Sequence, residues 1–486
     1  MRDRPAWQRQ TPDLAGGRAV KAAFCFHGPN ELGEATTWVR RLLPRLKRRG
    51  LEVVAVPLHT AGGDCDVVAD LQQDGVEVEV VRAGASPAES VHRMAVTLAR
   101  INPDVIVVDH VIPALVAGRW ARTANIRMVM LLRGDDDADR HLCTTFLRCD
   151  SELRVAAVVA VSKELELAAL TAARTIVDIV RCPTGAAVPQ ETARWRPDAF
   201  HAVYLGRLDE ERKRIPALVR ALIATSRALP CFSATLYGDG PLRADIEHTL
   251  STEAGHQVSY GGRLPLSEVQ PRLLDAQALV LIPNHLGLSS AVQEAMACGV
   301  PIVARRTASG ADGVFVDGET AMIIETDDAL TEAVRRLSHS ESLWRRLSAG
   351  GRRLAAADFD IEMAANRWSA LLARLDSGRT ARPVSLPTRD HSDSAWATYL
   401  CHRTDLDATD TIFLIERGRL VTAALERYLD DRRNSWDDRR RVLDAAARHR
   451  LIDVAQEAVR ARELAGEAER IGDDSDAHRY HLGVLS

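Results

Sequence analysis

NHLGLSSAVQEAMACGVPIVA, from Asn284 to Ala304, reads as a polar loop, a helix, a turn and a buried strand. Val280, Leu281 and Ile282 just before it form an apolar run that stops at Pro283, the pattern of a strand covered on both faces. Gly287 permits backbone angles and close approaches that a side chain blocks. Ser289 or Ser290 supplies the N-cap of a helix holding Glu294, Ala295, Met296 and Ala297, and Gly299 suits the position just past its end. Ile302, Val303 and Ala304 open the next strand. A loop leading into a helix N-terminus at the C-terminal edge of a parallel strand is where α/β proteins bind phosphate. An ordinary strand–loop–helix unit has the same periodicity, so this stretch alone sets the fold class and not the ligand.

The same rhythm runs outward in both directions. Val20 to His27 reads as a strand, followed by a loop carrying Gly33, a helix over 35–49 and a strand from Leu51 to Pro57. There is no Gly-x-Gly-x-x-Gly, so a dinucleotide cofactor is not expected. Further strands are expected at Val76–Val81, Asp104–Asp109, Arg127–Leu132, Ala156–Val161 and Ile176–Arg181, with helices over 87–100 and 112–122. Arg133 to Asp137 reads as a loop, and Ser162 as an N-cap. A second series begins at His201–Leu205, with a helix at Ile215–Ala228 and strands at Ser233–Tyr237 and Val258–Tyr260. The expected organisation is an arm (1–19), an α/β domain (20–189), a linker (190–199), a second α/β domain (200–376), a linker (377–395) and a charged, mostly helical extension (396–486). The extension carries no catalytic signature and reads as a packing or oligomerisation appendage.

A chain of 486 residues with 46% hydrophobic residues can bury a core in each domain, and a net charge of -4 argues against broad nucleic-acid binding. Its 8 cysteines are scattered, with no Cys-x-x-Cys pair, which suggests buried thiols in a reducing compartment. The start lacks the apolar core of a signal peptide and no charge-free stretch is long enough to span a bilayer, so a cytoplasmic protein is expected. Arg40, Arg41, Arg45, Lys47, Arg48 and Arg49 share a helix with Trp38, Leu42, Leu43 and Leu46. Two readings of this basic amphipathic helix stay open: a solvated face packed on the sheet, or peripheral contact with the inner face of a membrane. Pro44 within it suggests a kink or a break.

The second α/β domain carries an ordered set of motifs: Gly206-Arg207-Leu208, Lys213, Gly238-Asp239-Gly240-Pro241, Gly261 to Pro265, Gly287-Leu288, Glu294 and Cys298-Gly299-Val300-Pro301. This order resembles the family 4 retaining glycosyltransferases of GT-B architecture. In the first domain Gly33, Asn102-Pro103-Asp104, Val161-Ser162 and Pro183-Thr184-Gly185 are similar to that family too, so the resemblance covers residues 20–375. It implies two Rossmann-like domains facing a cleft. A sugar would pass from a nucleotide-diphosphate donor, held by the second domain, to the hydroxyl of a glycan, lipid-linked or small-molecule acceptor on the first. The nucleotide sugar is a substrate, and no metal or other cofactor is expected.

The resemblance also implies roles. Arg207 and Lys213 grip the diphosphate, and Glu294 accepts from the ribose hydroxyls. Backbone around Arg263 and Leu264 reads the base, and Gly33 lets the first loop approach the diphosphate. Amides of Gly287, Leu288 and Ser289 add donors, and Gly238 and Gly240 belong to the donor side. Two positions depart from the family pattern. Leu286 stands where a glutamate usually orients the sugar, with Asn284 and His285 adjacent as substitutes. Arg133 stands where many relatives carry histidine, and joins the catalytic candidates. His110 and Asp135 are acceptor-side candidates. The cluster Asp135, Asp136, Asp137 and Asp139 reads as a solvated acidic loop rather than a metal site. Two alternatives remain: a sugar-phosphate synthase of the same fold, and a catalytically silent nucleotide-binding scaffold, which Leu286 favours.

Overall fold

The computed structural model describes residues 18–28, 34–59, 66–133, 137–148, 153–173, 177–196, 198–210, 212–253, 257–284, 287–307, 313–376, 387–400, 425, 428–429 and 436–448. Gly33, Asp135, Asp136, His285 and Leu286 lie outside them, as does the helix expected within 452–465.

The first sheet is built from β1 (Lys21–His27), β2 (Glu52–His59), β3 (Glu77–Val78), β4 (Val81–Arg82), β5 (Val105–Asp109), β6 (Arg127–Leu132), β7 (Ala157–Ala160) and β8 (Asp178–Arg181). Every pairing is parallel, in the order β3-β2-β1-β5-β6-β7-β8, with β4 also on β2. Every residue of β5, Val-Ile-Val-Val-Asp, is buried, as expected of a strand covered on both faces. Around the sheet run α1 (Glu34–Arg48), α2 (Asp66–Gln73), α3 (Pro87–Ile101), α4 (Ile112–Thr123), α5 (Asp137–Arg148) and α6 (Lys163–Ala172). Ser162 caps α6 by accepting from the Leu165 amide. The sequence reading missed α2 and α5. It placed Asp137 and Asp139 in a solvated acidic loop, yet Asp137 opens α5 and Asp139 is buried. Nor does Pro44 end α1, which runs on to Arg48.

The second sheet contains β9 (Phe200–Leu205), β10 (Phe232–Tyr237), β11 (Val258–Gly262), β12 (Ala278–Leu281), β13 (Ile302–Arg305) and β14 (Ala321–Ile324). It too is parallel, ordered β11-β10-β9-β12-β13-β14. Its helices are α7 (Ile215–Ala228), α8 (Arg243–Glu253), α9 (Leu266–Asp275), α10 (Ser290–Ala297), α11 (Leu330–His339), α12 (Glu341–Leu354) and α13 (Ile361–Leu375). After a π-helical turn at Ala355–Phe359, α13 crosses back onto the first domain. There Trp368 stacks on Trp38 with ring centroids 6.1 Å apart and meets Phe24 at 5.9 Å.

Each sheet reverses its strand order at one place: between β1 and β5 in the first, and between β9 and β12 in the second. The crevice outside the carboxyl ends of such neighbouring strands is where open α/β sheets bind ligands.

The chain divides into two compact units, Met1–Ala85 with Arg93–Leu386, and Ser86–His92 with Pro387–Ser486. Both sheets belong to the first. The second contains α14 (Arg389–Leu400) and α15 (Trp436–Arg448). Its apolar core includes Trp396, Tyr399, Leu429, Val442 and Leu443, with the Trp396 and Tyr399 rings 4.9 Å apart. The linker expected to reach 395 is therefore shorter, since α14 starts at Arg389. Among the described residues no helix is long and apolar enough to cross a membrane.

Arginines of the basic helix α1 are paired within the protein. Arg40 pairs with Asp70 on α2 at 3.0 Å, Arg45 with Glu362 on α13 at 2.8 Å, and Arg49 also with Glu362. Trp38, Leu42, Leu43 and Leu46 are buried. This arginine face is spent on internal ion pairs, which leaves Lys47 and Arg48 as its exposed cations.

Candidate active site

The loop after β9 is folded around one carboxylate. Asp209 Oδ1 accepts from the amides of Arg212 and Lys213, each at 2.9 Å. The Tyr204 hydroxyl donates to Arg207 O at 2.8 Å. Arg214, in the left-handed region at φ 51°, anchors the far end by donating to both oxygens of Asp327 at 3.0 and 2.8 Å and to Ile282 O at 3.2 Å. The Asn284 amide donates to Arg212 O at 3.0 Å, tying this loop to the one after β12. Gly238 completes the set. A Cβ there would lie 1.8 Å from Gly206 O, so only glycine lets the turn after β10 pass.

At the start of α10, Ser289 accepts from the Val292 amide at 3.4 Å, and Gly299 takes φ 73° just past the end. The buried Gln293 amide side chain accepts from the Gly185 amide and donates to Thr184 Oγ1, both at 2.9 Å, and to Leu288 O at 3.3 Å. Gln293 thus joins the Pro183-Thr184-Gly185 turn to the Gly287 loop.

These loops line a cavity of about 850 Å³. Arg207, Lys213, Gly238, Arg263, Leu264, Gly287, Ser289 and Glu294 all line it, and from the first domain so do Thr36, Thr37, Arg40 and Arg133. Gly240, Leu288 and His110 are outside the lining. Gly240 packs beneath, where a Cβ would sit 2.4 Å from Leu208 O. Asp209, Arg214 and Gln293 are not evident from sequence, and Arg40 is read there only as part of the basic helix. Asp209 alone left a local signal, an Asp ahead of two amides that it caps.

Gly287 differs from Gly238 in what requires it. A Cβ at Gly287 meets no atom of the described residues within 4 Å and its φ is not left-handed, so neither their packing nor the backbone demands glycine. Its open side lines the cavity. Gly287→Ala should change stability by less than about 0.5 kcal/mol and weaken nucleotide binding several-fold. Gly238→Ala should cost about 2–3 kcal/mol through overpacking. Urea unfolding and calorimetric titration on both variants check the contrast.

On the first-domain side, Asp109 at the end of β5 is fully buried and takes three donors. Arg133 Nε donates at 2.7 Å, Trp38 Nε1 at 2.8 Å and His110 Nδ1 at 2.9 Å. The other ring nitrogen of His110 meets Asp139 at 3.0 Å, and His110 O lies 3.1 Å from His27 Nε2. Burial pushes the Asp109 carboxyl up, but the Arg133 charge and the His110 hydrogen bond outweigh it and hold it at about 2. Burial alone would lower His110; hydrogen bonds to Asp109 and Asp139, with their charges, raise it to about 9. His110 is thus held between two carboxylates, next to the Asp109 that fixes Arg133. Asp139 shares this burial because His110 neutralises it.

Glu294, 8% exposed, is paired with Arg41 of α1. Burial pushes the nearby Cys298 thiol up to about 12, which removes it as a nucleophile near neutral pH.

Two parallel-sheet domains that together line one polar cavity have the GT-B architecture of glycosyltransferases. Residues 199–340, most of the second sheet domain, match the family model for glycosyl transferases group 1. The chain is 30% identical over 184 residues to TuaC of Bacillus subtilis (strain 168), an inferred teichuronic acid biosynthesis glycosyltransferase, covering 38% of this chain and 40% of TuaC. It is 29% identical over 181 residues to a GDP-mannose-dependent alpha-(1-6)-phosphatidylinositol monomannoside mannosyltransferase of Mycolicibacterium smegmatis, covering 35% of this chain and 47% of that protein. The match therefore spans less than half the length of either relative. Among solved structures, Anabaena Alr3699/HepE in complex with UDP and glucose superposes with a TM-score of 0.59 at 16% identity, covering 73% of this chain and all of that one, which shows the shared fold.

Proposed function

We propose that the protein is a retaining glycosyltransferase that moves a sugar from a nucleotide diphosphate to an acceptor hydroxyl. The carrying observation is the convergence of Arg207, Lys213 and the α10 N-terminus on one cavity at the second sheet's switch point. In such a transfer, negative charge grows on the leaving diphosphate while the sugar becomes oxocarbenium-like. Fixed cations and helix amides at that diphosphate stabilise the charge as it develops. Arg207 offers a planar fork and Lys213 a point charge. Both sit on a loop held by Asp209, so little reorganisation accompanies the reaction. Glu294 receives the ribose, and the backbone near Arg263 and Leu264 meets the base. Arg133, pinned by Asp109, faces the same cavity from the acceptor domain. No side chain is assigned as a nucleophile. Transfer proceeds on one face of the sugar, with the leaving phosphate taking the acceptor proton.

Calorimetric titration with UDP and with GDP tests the nucleotide step, since HepE was solved with UDP and the mycobacterial relative is named for GDP-mannose. Binding of either, followed by release of sugar from the matching donor in a hydrolysis screen, is the expected result. A folded protein that binds a nucleotide but releases no sugar from any donor would instead be the silent scaffold, and one that binds neither nucleotide would overturn the donor reading.

A further inference from the structure

We infer that Arg41 is a positioning residue for the donor, holding the Glu294 carboxylate from the first domain and thereby linking that domain to nucleotide binding. The inference rests on the reading of Glu294 as the ribose acceptor. Glu294 lines two spaces at once: the large cavity and, behind it, a cavity of about 150 Å³. Arg41 enters from the smaller one, together with Arg45 of the same helix and Gln270 of α9. Arg41 Nη2 meets Glu294 Oε1, and the two side chains are only 14% and 10% exposed. With both side chains largely out of water, the pair holds the Glu294 carboxylate in one orientation.

The placement of α1 makes this coupling specific. Thr36, Thr37 and Arg40 on its first turns line the donor cavity, and Arg41 follows directly. Arg45 and Arg49, one and two turns further, are fixed by Glu362 of α13, and Arg45 Nη1 donates to Arg41 O at 2.8 Å. The helix is therefore held in register where Arg41 reaches Glu294. Among the described residues Arg41 Nη1 is buried without a hydrogen-bond partner. A pair serving stability alone would be expected to satisfy both nitrogens. The arrangement is better explained by orientation of Glu294, which presents toward the large cavity while Arg41 grips it from behind.

The test uses the full chain and calorimetry with UDP or GDP, whichever binds more tightly, and with its 2′,3′-dideoxy analogue. Arg41→Gln should weaken the ribonucleotide about tenfold and leave the dideoxy analogue unaffected. Glu294→Gln should do the same, and the double variant should be no weaker than either single one. Arg41→Lys, which keeps the charge, should recover most of the affinity, and thermal unfolding shows that each variant is folded. An unchanged affinity in Arg41→Gln, an equal loss with the dideoxy analogue, or additive losses would overturn the role of Arg41. If Glu294→Gln weakens binding while Arg41→Gln does not, only this inference fails. If Glu294→Gln has no effect, the ribose reading fails and takes the inference with it.

Discussion

Replacing Arg207 by alanine should lower kcat/KM for sugar transfer by about 10²–10³-fold, and Lys213→Ala should do so by a similar factor. Both groups act on charge that appears only as the diphosphate departs, so the loss falls on kcat as well as on donor binding. Stability should barely move. The Arg207 side chain is 45% exposed and its Nε lies 3.8 Å from Asp209 Oδ2, a loose surface pair worth at most about 1 kcal/mol. Lys213 contributes to the fold through its amide, which Asp209 caps whatever the side chain. Arg207→Lys should be intermediate, because the charge survives and the planar fork does not. Initial rates across donor concentration, with thermal unfolding alongside, decide the matter. Wild-type rates in both alanine variants would place the diphosphate elsewhere.

The architecture was readable in the sequence because its strands are buried on both faces. Val-Ile-Val-Val at 105–108 and Ala-Leu-Val-Leu at 278–281 leave no polar alternation to confuse them. Helices with charged beginnings were harder. Asp137, Ala138, Asp139 and Arg140 open α5 with acids that suit a helix N-terminus, yet the same acids read equally well as a solvated loop. What decides between the two is His110, distant in sequence, which meets Asp139 inside the protein. The α1 arginines show the same limit. Arg41, Arg45 and Arg49 recur at helical spacing, which the sequence displays, but Glu294 and Glu362 lie 253 and 317 residues beyond Arg41 and Arg45. Periodicity reveals a stripe and not its partner, so the sequence left two readings of this face open. The donor loops were legible through their motifs. The residues that hold those loops, Asp209, Arg214 and Gln293, were less so, because their partners are backbone amides or side chains distant in sequence, such as Asp327 and Thr184.

Asp109→Leu should destabilise the protein by about 3–5 kcal/mol, the cost of stranding buried partners of an ion pair. Three donors converge on this carboxylate, and two of them, Arg133 and His110, would lose the charge they share. The same network predicts a pH profile. Asp109, held at about 2, contributes stability that is present above the ordinary carboxylate value of 3.8 and is lost as pH falls through about 2. His110 runs the other way. Its value is raised from 6.5 to about 9, so its contribution is complete below 6.5 and is lost as pH rises through 9. At about 1.4 kcal/mol per unit, the alkaline loss is on the order of 3 kcal/mol. Stability should therefore be greatest between about pH 4 and 6.5 as far as this network sets it, and should decline toward pH 9. Urea midpoints at pH 6 and 9.5 measure the decline, and His110→Gln should flatten it from a lower starting value. Equal pH dependence in wild type and His110→Gln would remove His110 from the account. The network also reaches the cavity, because Arg133 Nε is fixed by Asp109. Asp109→Asn, which keeps the shape and removes the charge, should loosen Arg133 and lower kcat more than it raises the donor KM. That split separates Arg133 placed for transfer from Arg133 placed for donor binding.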